Sequence, residues 1–154
     1  MRVMIRVMFV CHGNICRSPM AEFLFRDFVE KKGLGDGFEI ASSATSREEI
    51  GNGVHYGTRR VLDTFGIDYS KKKAVQLTRS DKDKYDYFIG MDSYNIRNMK
   101  NILGEGNIFR FLDFSENPRD IADPWYTGNF NETYNDIVEG SRCFFEYLRK
   151  EGKI

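Results

Sequence analysis

The segment Cys11-His12-Gly13-Asn14-Ile15-Cys16-Arg17-Ser18-Pro19 holds a thiol and a guanidinium five residues apart, the groups needed for nucleophilic chemistry on an anion. The spacing alone is weak, because a match arises by chance in about one chain in four of this composition. Its surroundings sharpen it. Gly13 and Asn14 are residue types that tolerate left-handed backbone, which a tight loop around an anion needs. Ser18 suits a helix N-cap and Pro19 the first helical position, so backbone amides and a helix dipole converge on the loop. That setting favours the thiolate form of Cys11, which is the nucleophile. Arg17 grips two oxygens of a tetrahedral anion through its planar fork, more tightly as charge spreads in a transition state. The Ser18 hydroxyl donates to the Cys11 sulfur and helps it leave in a second step. A lone cysteine at a strand end is ordinarily an inert apolar residue; these neighbours weigh against that reading. No Gly-Lys-Ser/Thr is present, so the loop is not a nucleotide-binding one.

Expelling an alkoxide or phenoxide requires an acid. The candidate is Asp123, in Asp123-Pro124-Trp125-Tyr126, where Pro124 stiffens the loop. Trp125 and Tyr126 are expected to wall a slot and stack on an aromatic leaving group. By itself Asp-Pro is a common turn start and the aromatics would be packing; it is the cysteine loop that gives them a purpose.

The elements that must position these groups follow from periodicity. Met4 to Val10 is a short apolar run, expected as a strand buried on both faces. Ala21, Leu24, Phe25, Phe28 and Val29 recur at helical spacing after Ser18-Pro19, and Gly33 ends the run. Phe38 to Ser42 reads as a second strand, and Thr58 to Phe65 as a helix stopped by Gly66. Tyr85 to Met91 is a third strand, followed by a helix capped by Asp92 or Ser93 and carrying Ile96, Met99 and Leu103. Ile108 to Leu112 is a fourth strand. A long loop then leads to a final helix with Tyr134, Ile137, Ser141, Phe145 and Leu148 on one face. Strands alternating with helices predict a single three-layer α/β domain over residues 1–154, with a parallel sheet flanked by helices. Ligands of such sheets bind at the carboxyl ends of the strands, which points at the loop from Cys11 to Arg17.

Composition excludes several function classes. The chain has 154 residues with 23 Lys plus Arg and 23 Asp plus Glu, so bulk charge does not hold a polyanion such as nucleic acid. An anion must be caught by a local site. Three cysteines, Cys11, Cys16 and Cys143, are too few for a disulfide scaffold. His12 and His55 lack metal spacing, and no metal or other cofactor is expected. No apolar run of ~18 residues is present, so no membrane span is expected. Arg6 interrupts the N-terminal apolar stretch and no small-residue cleavage site follows, which leaves a reducing cytoplasm as the default location.

Taken together these motifs resemble the low-molecular-weight protein tyrosine phosphatases. The resemblance spans the chain: Val10 to Glu22, Ser42-Ser43-Ala44-Thr45-Ser46, Glu49-Ile50-Gly51-Asn52, Gly66-Ile67, Met91-Asp92 and Asp123-Pro124-Trp125-Tyr126. It implies a flavodoxin-like four-stranded parallel sheet and a metal-free phosphomonoesterase working through a phosphocysteine. Carried over, Cys11 is the nucleophile, Arg17 the phosphate clamp and Asp123 the acid and then the base. Ser18 assists the thiolate; His12, Gly13, Asn14, Ile15 and Cys16 complete the phosphate loop, with Asn14 and Ser42 holding its shape. Cys16 matches a second loop cysteine that pairs with an oxidised nucleophile and protects it. The implied partners are phosphotyrosine proteins or peptides and phosphate-like oxyanion inhibitors, with the protein a monomer or weak dimer. Ile15, Glu48, Trp125 and Tyr126 line the implied substrate pocket.

Three positions depart from the family pattern. Glu48 stands where many members carry an aromatic, Lys72 or Lys71 where a supporting histidine is common, and Val75 where an arginine is usual. Lys71 to Lys73 reads as a solvated stretch, His12 as facing solvent, His55 as a surface or helix-start residue, and Cys143 as packing. The same scaffold also serves phosphoarginine phosphatases, which tend to carry threonine at the position of Ile15; an apolar Ile15 suits a phenyl ring. An arsenate reductase would need further cysteines after the third strand, and 81–101 contains none. A phosphocysteine carrier would leave Arg17 and Asp123 without purpose.

Overall fold

A computed structural model describes residues 4–154, so the first three residues of the N-terminal apolar stretch lie outside it. Four strands, β1 (Ile5–Cys11), β2 (Phe38–Ala44), β3 (Tyr87–Gly90) and β4 (Ile108–Arg110), form one all-parallel sheet in the order β2-β1-β3-β4. The helices are α1 (Arg17–Lys31), α2 (Tyr56–Thr64), α3 (Ser93–Leu103), α4 (Pro124–Thr127) and α5 (Phe130–Lys150). β1 sits inside the sheet, and its alternation sorts side chains to the two faces. Ile5, Val7, Phe9 and Cys11 pack with α1 and α5, whereas Met8 and Val10 pack with Met99 and Leu103 of α3. Because β2 and β3 leave β1 on opposite sides, a crevice opens at its carboxyl end, where Cys11 stands.

Local chemistry explains the helix ends. α1 stops at Gly33, whose φ of +75° lets the amides of Gly33 and Leu34 turn back onto Glu30 and Val29. Asp92 caps α3 by accepting from the Asn95 amide at 2.8 Å, while Asn95 Oδ1 accepts from the Asp92 amide at 3.2 Å. Gly57 lets α2 press onto α5, since a Cβ there would lie 2.4 Å from the Phe130 ring.

Several expected boundaries shift. The third strand is trimmed to Tyr87–Gly90, and the fourth ends at Arg110, where Phe111–Phe114 tightens into a 3-10 turn. The long loop contains the short helix α4, capped by Asp123. Ser18 is not the N-cap and Pro19 is not the first helical residue: α1 begins at Arg17, with Cys16 at the cap position and no side-chain cap, so both lie inside the first turn and the Ser18 hydroxyl is engaged by the cysteine loop. Among the described residues no helix is long and apolar enough to cross a membrane.

Candidate active site

The loop from Cys11 to Ser18 closes around its own amides. Asn14 takes the left-handed conformation, φ +59°, the only described residue other than glycine to do so. Its amide points back at Cys11 Sγ, 3.3 Å away. Its side chain is a hub: Nδ2 donates to Ser18 Oγ at 2.8 Å and to Ser42 Oγ at 2.9 Å, and Oδ1 accepts from the Val75 amide at 3.1 Å. Ser18 Oγ accepts this hydrogen bond from Asn14 and lies 3.0 Å from Cys11 Sγ, where its hydroxyl is placed to donate to a thiolate. Among the described residues the amides of Gly13, Ile15, Cys16, Arg17 and Ser18 have no acceptor in the protein. They form, with the start of α1, a nest for a compact anion directly over the thiol.

Arg17 is 2% exposed and is held before any anion arrives. Its Nη1 donates to Asp92 Oδ2 and to the Ile121 carbonyl, both at 2.7 Å, and its Nη2 lies 3.5 Å from Asp123 Oδ2. Burial works against its charge, but Cys11, Asp92 and Asp123 outweigh burial and raise its pKa above the ordinary value. Asp123 holds its place as the cap of α4, accepting from the Trp125 amide at 3.1 Å through Oδ1 and leaving Oδ2 toward the loop. Cys16 is buried as well; burial first, then the negative charges of Cys11 and Asp123, push its thiol up to about 12. It is therefore a neutral thiol at physiological pH.

A small cavity of about 120 Å3 opens on Cys11, with Gly13, Ile15 and Arg17 inside and Glu48, Glu49, Trp125 and Tyr126 at its mouth. Trp125 and Tyr126 are 57% and 83% exposed, so they are rim residues and not core packing. His12 faces solvent as expected, with Nε2 2.9 Å from Glu48 Oε2 across the rim.

A family model described as low molecular weight phosphotyrosine protein phosphatase matches residues 6–154. The chain belongs to this family. The low molecular weight protein-tyrosine-phosphatase YfkJ of Bacillus subtilis (strain 168) is 41% identical over 156 residues, which cover 98% of this chain and 100% of the relative. The crystal structure of YfkJ superposes with a TM-score of 0.92 at 40% identity, covering 96% of each chain. The low molecular weight protein tyrosine phosphatase SP-PTP from Streptococcus pyogenes superposes with a TM-score of 0.80 at 39% identity, covering 96% of this chain and 93% of that one.

Three further residues, Asp92, Glu22 and Lys72, support the site without a sequence signature of their own for that role. Asp92 reads locally as a helix cap, and nothing near it announces the bond to Arg17, 75 positions away. Glu22 lies one helical turn beyond Ser18 on α1, which was the available signal. Buried at 7% exposure, it accepts from Ser42 Oγ at 2.5 Å and from Arg26 at 2.8 Å. Lys72 corrects the reading of a solvated lysine run: its side chain is 12% exposed, its Nζ donates to the Ser42 carbonyl at 2.9 Å, and Glu22 Oε1 is 3.8 Å away. Burial lowers its pKa, and Glu22 and Cys11 oppose that shift. Lys72 thus stands beneath the loop, tied to Ser42 and Glu22. The departure at Val75 has a simple account, because the contact to Asn14 is made by backbone and the side chain points outward, 48% exposed. His55 starts α2 by accepting the Gly57 amide on Nδ1 at 3.1 Å, and its own amide donates to the Ile15 carbonyl at 2.9 Å. Its ring stacks between Tyr56 and Phe130 and meets the edge of Trp125. Burial first, then Arg59, lower its pKa, so it is neutral at pH 7. Cys143 lies half-buried on α5 as a free thiol.

Proposed function

We propose that the protein hydrolyses phosphotyrosine monoesters of proteins, and small aryl phosphates, through a phosphocysteine on Cys11. The observation that carries this reading is the meeting of Cys11 Sγ with five unengaged loop amides, the pre-set Arg17 fork and Asp123 Oδ2, which lies 3.5 Å from Arg17 Nη2. The phosphoryl group sits in the nest with Arg17 bridging two of its oxygens. Cys11 sulfur forms a bond to phosphorus as the bond to the tyrosine oxygen breaks, and Asp123 gives that oxygen its proton. In the second step Asp123 takes a proton from water, whose oxygen attacks phosphorus. The S–P bond breaks, the Ser18 hydroxyl stabilises the departing thiolate, and inorganic phosphate leaves. Loop amides and Arg17 stabilise the equatorial charge in both steps.

Ile15 offers an apolar wall to a phenyl ring, with Glu48, Trp125 and Tyr126 at the mouth; this supports phosphotyrosine over phosphoarginine. Cys16, held as a thiol, is positioned in the same loop to close a disulfide on an oxidised Cys11. A single domain over 1–154 carries the activity, acting as a monomer or weak dimer on phosphoproteins in the cytoplasm and inhibited by phosphate-like oxyanions. The test is a panel of phosphotyrosine, phosphoserine and phosphoarginine peptides with Cys11→Ser as control. Selective turnover of phosphotyrosine, abolished in Cys11→Ser, is expected. Faster turnover of phosphoarginine, or undiminished turnover by Cys11→Ser, would overturn the reading.

A further inference from the structure

A second depression begins where the catalytic slot ends. It has a volume of about 620 Å3 and runs between α2 and the start of α5, and Trp125 lines both it and the slot. Its walls are aromatic: Tyr56 and Phe65 are 60% and 41% exposed, and the Phe65 and Tyr134 rings stack at 5.4 Å. Aromatic rings left this open beside a reaction slot are the kind of surface that a partner chain covers. The floor is built for closeness, since Gly57 lets the Phe130 ring lie against α2.

The charge in this groove is simple. Arg60 is its only lining residue with a full charge at neutral pH, because His55 is held neutral. Among the described residues no carboxylate pairs with the Arg60 guanidinium. Tyr56, Arg60 and Thr64 recur at every fourth position of α2, which places them along one edge of the groove. The slot mouth has the opposite character, because it is lined by Glu48 and Glu49, neither of which lines the groove. An acidic segment is therefore repelled from one bank and attracted to the other.

We infer that this groove docks the substrate segment flanking the phosphotyrosine, with an acidic side chain of that segment on Arg60 and an apolar one on the aromatic wall. The inference rests on the phosphotyrosine reading above. Its reach can be bounded. Ring centroids of His55 lie 4.4 Å from Tyr56 and 5.5 Å from Trp125, which puts Tyr56 within about 10 Å of the slot rim. Arg60 is one helical turn further, about 6 Å. An extended peptide advancing ~3.3 Å per residue covers the whole path in roughly three to five residues.

The test compares phosphotyrosine peptides that carry Glu or Lys three to five residues from the phosphotyrosine, on either side. Each kcat/KM is divided by the same enzyme's turnover of p-nitrophenyl phosphate, which is too small to reach Arg60 and also reports folding. The wild type is expected to prefer Glu over Lys at one of these positions by at least about threefold, with the preference fading at high salt. Arg60→Glu is expected to abolish or invert it. A Glu-to-Lys ratio near one in the wild type, or one unmoved by Arg60→Glu, overturns the groove while the phosphatase reading stands. Failure of the wild type to turn over p-nitrophenyl phosphate overturns both.

Discussion

Replacing Asn14 separates the two demands placed on it. Asn14→Ala removes three side-chain hydrogen bonds, the buried ones to Ser18 and Ser42 and a part-buried one from the Val75 amide. Each is worth about 1 kcal/mol net. It also forces a Cβ-bearing residue without a polar side chain into φ +59°, at a further cost of about 1–2 kcal/mol. The expected loss is about 4–5 kcal/mol, a large part of the ~5–15 kcal/mol that holds a domain together. Asn14→Gly loses the same bonds but accepts the backbone angle, so it should be more stable than Asn14→Ala by about 1 kcal/mol. Urea denaturation of the three proteins, with unchanged m-values, reads this difference directly. Aryl phosphate turnover should fall roughly a hundredfold or more in both, because the amides no longer converge over Cys11. Equal stability of the Ala and Gly variants would refute the role given to the left-handed angle. Losses below about 1 kcal/mol in both would refute the hub.

Asp92→Asn keeps a good helix cap but takes the charge from the buried Arg17 pair, spaced at 2.7 Å. It should cost about 2–3 kcal/mol in urea denaturation, and inorganic phosphate should recover more stability in the variant than in the wild type. Gly57→Ala would gain ~1 kcal/mol in an open helix, but its Cβ meets the Phe130 ring at 2.4 Å. A net loss of about 1–2 kcal/mol in the urea midpoint is expected. Arg119 and then Ser115 hold the Glu139 carboxyl down from 4.5 to about 2. A lowered folded-state pKa stabilises fully above pH 4.5 and is lost as pH falls through 2. Glu139→Gln should therefore lower the urea midpoint at pH 7, by an amount that shrinks steadily as pH is lowered from 4.5 toward 2.

The sequence showed most plainly what is local. Cys11, Gly13, Asn14, Arg17 and Ser18 lie within one loop, and the residue types alone announce a nest at a strand end. Asp123 was legible through its rigid Pro124 and its aromatic neighbours. What failed were residues with two possible jobs. Ser18 has the chemistry of an N-cap, yet its oxygen goes to Asn14 and the thiol. Asp92 does cap α3 with one oxygen, and the other, which holds Arg17, has no signature because its partner is 75 residues away. Lys72 looks like one of three exposed lysines, and only the fold brings Glu22 and the Ser42 carbonyl to it. The third strand starts two residues later than expected because Tyr85 packs against the core without pairing, and the fourth ends at Arg110 because the apolar Phe111 and Leu112 continue into a buried 3-10 turn.

The bond from the Val75 amide to the Asn14 side chain ties the segment after α2 to the phosphate loop without using the Val75 side chain. A scan of side-chain substitutions at this position will report indifference, and natural variation there will look neutral. Proline, which has no amide proton, is the exception. The position is thus a hidden anchor: its identity is free to drift over evolutionary time while its backbone remains part of the machinery. Sequence divergence at a residue touching an active loop is, in this case, no sign of divergence in what the loop does.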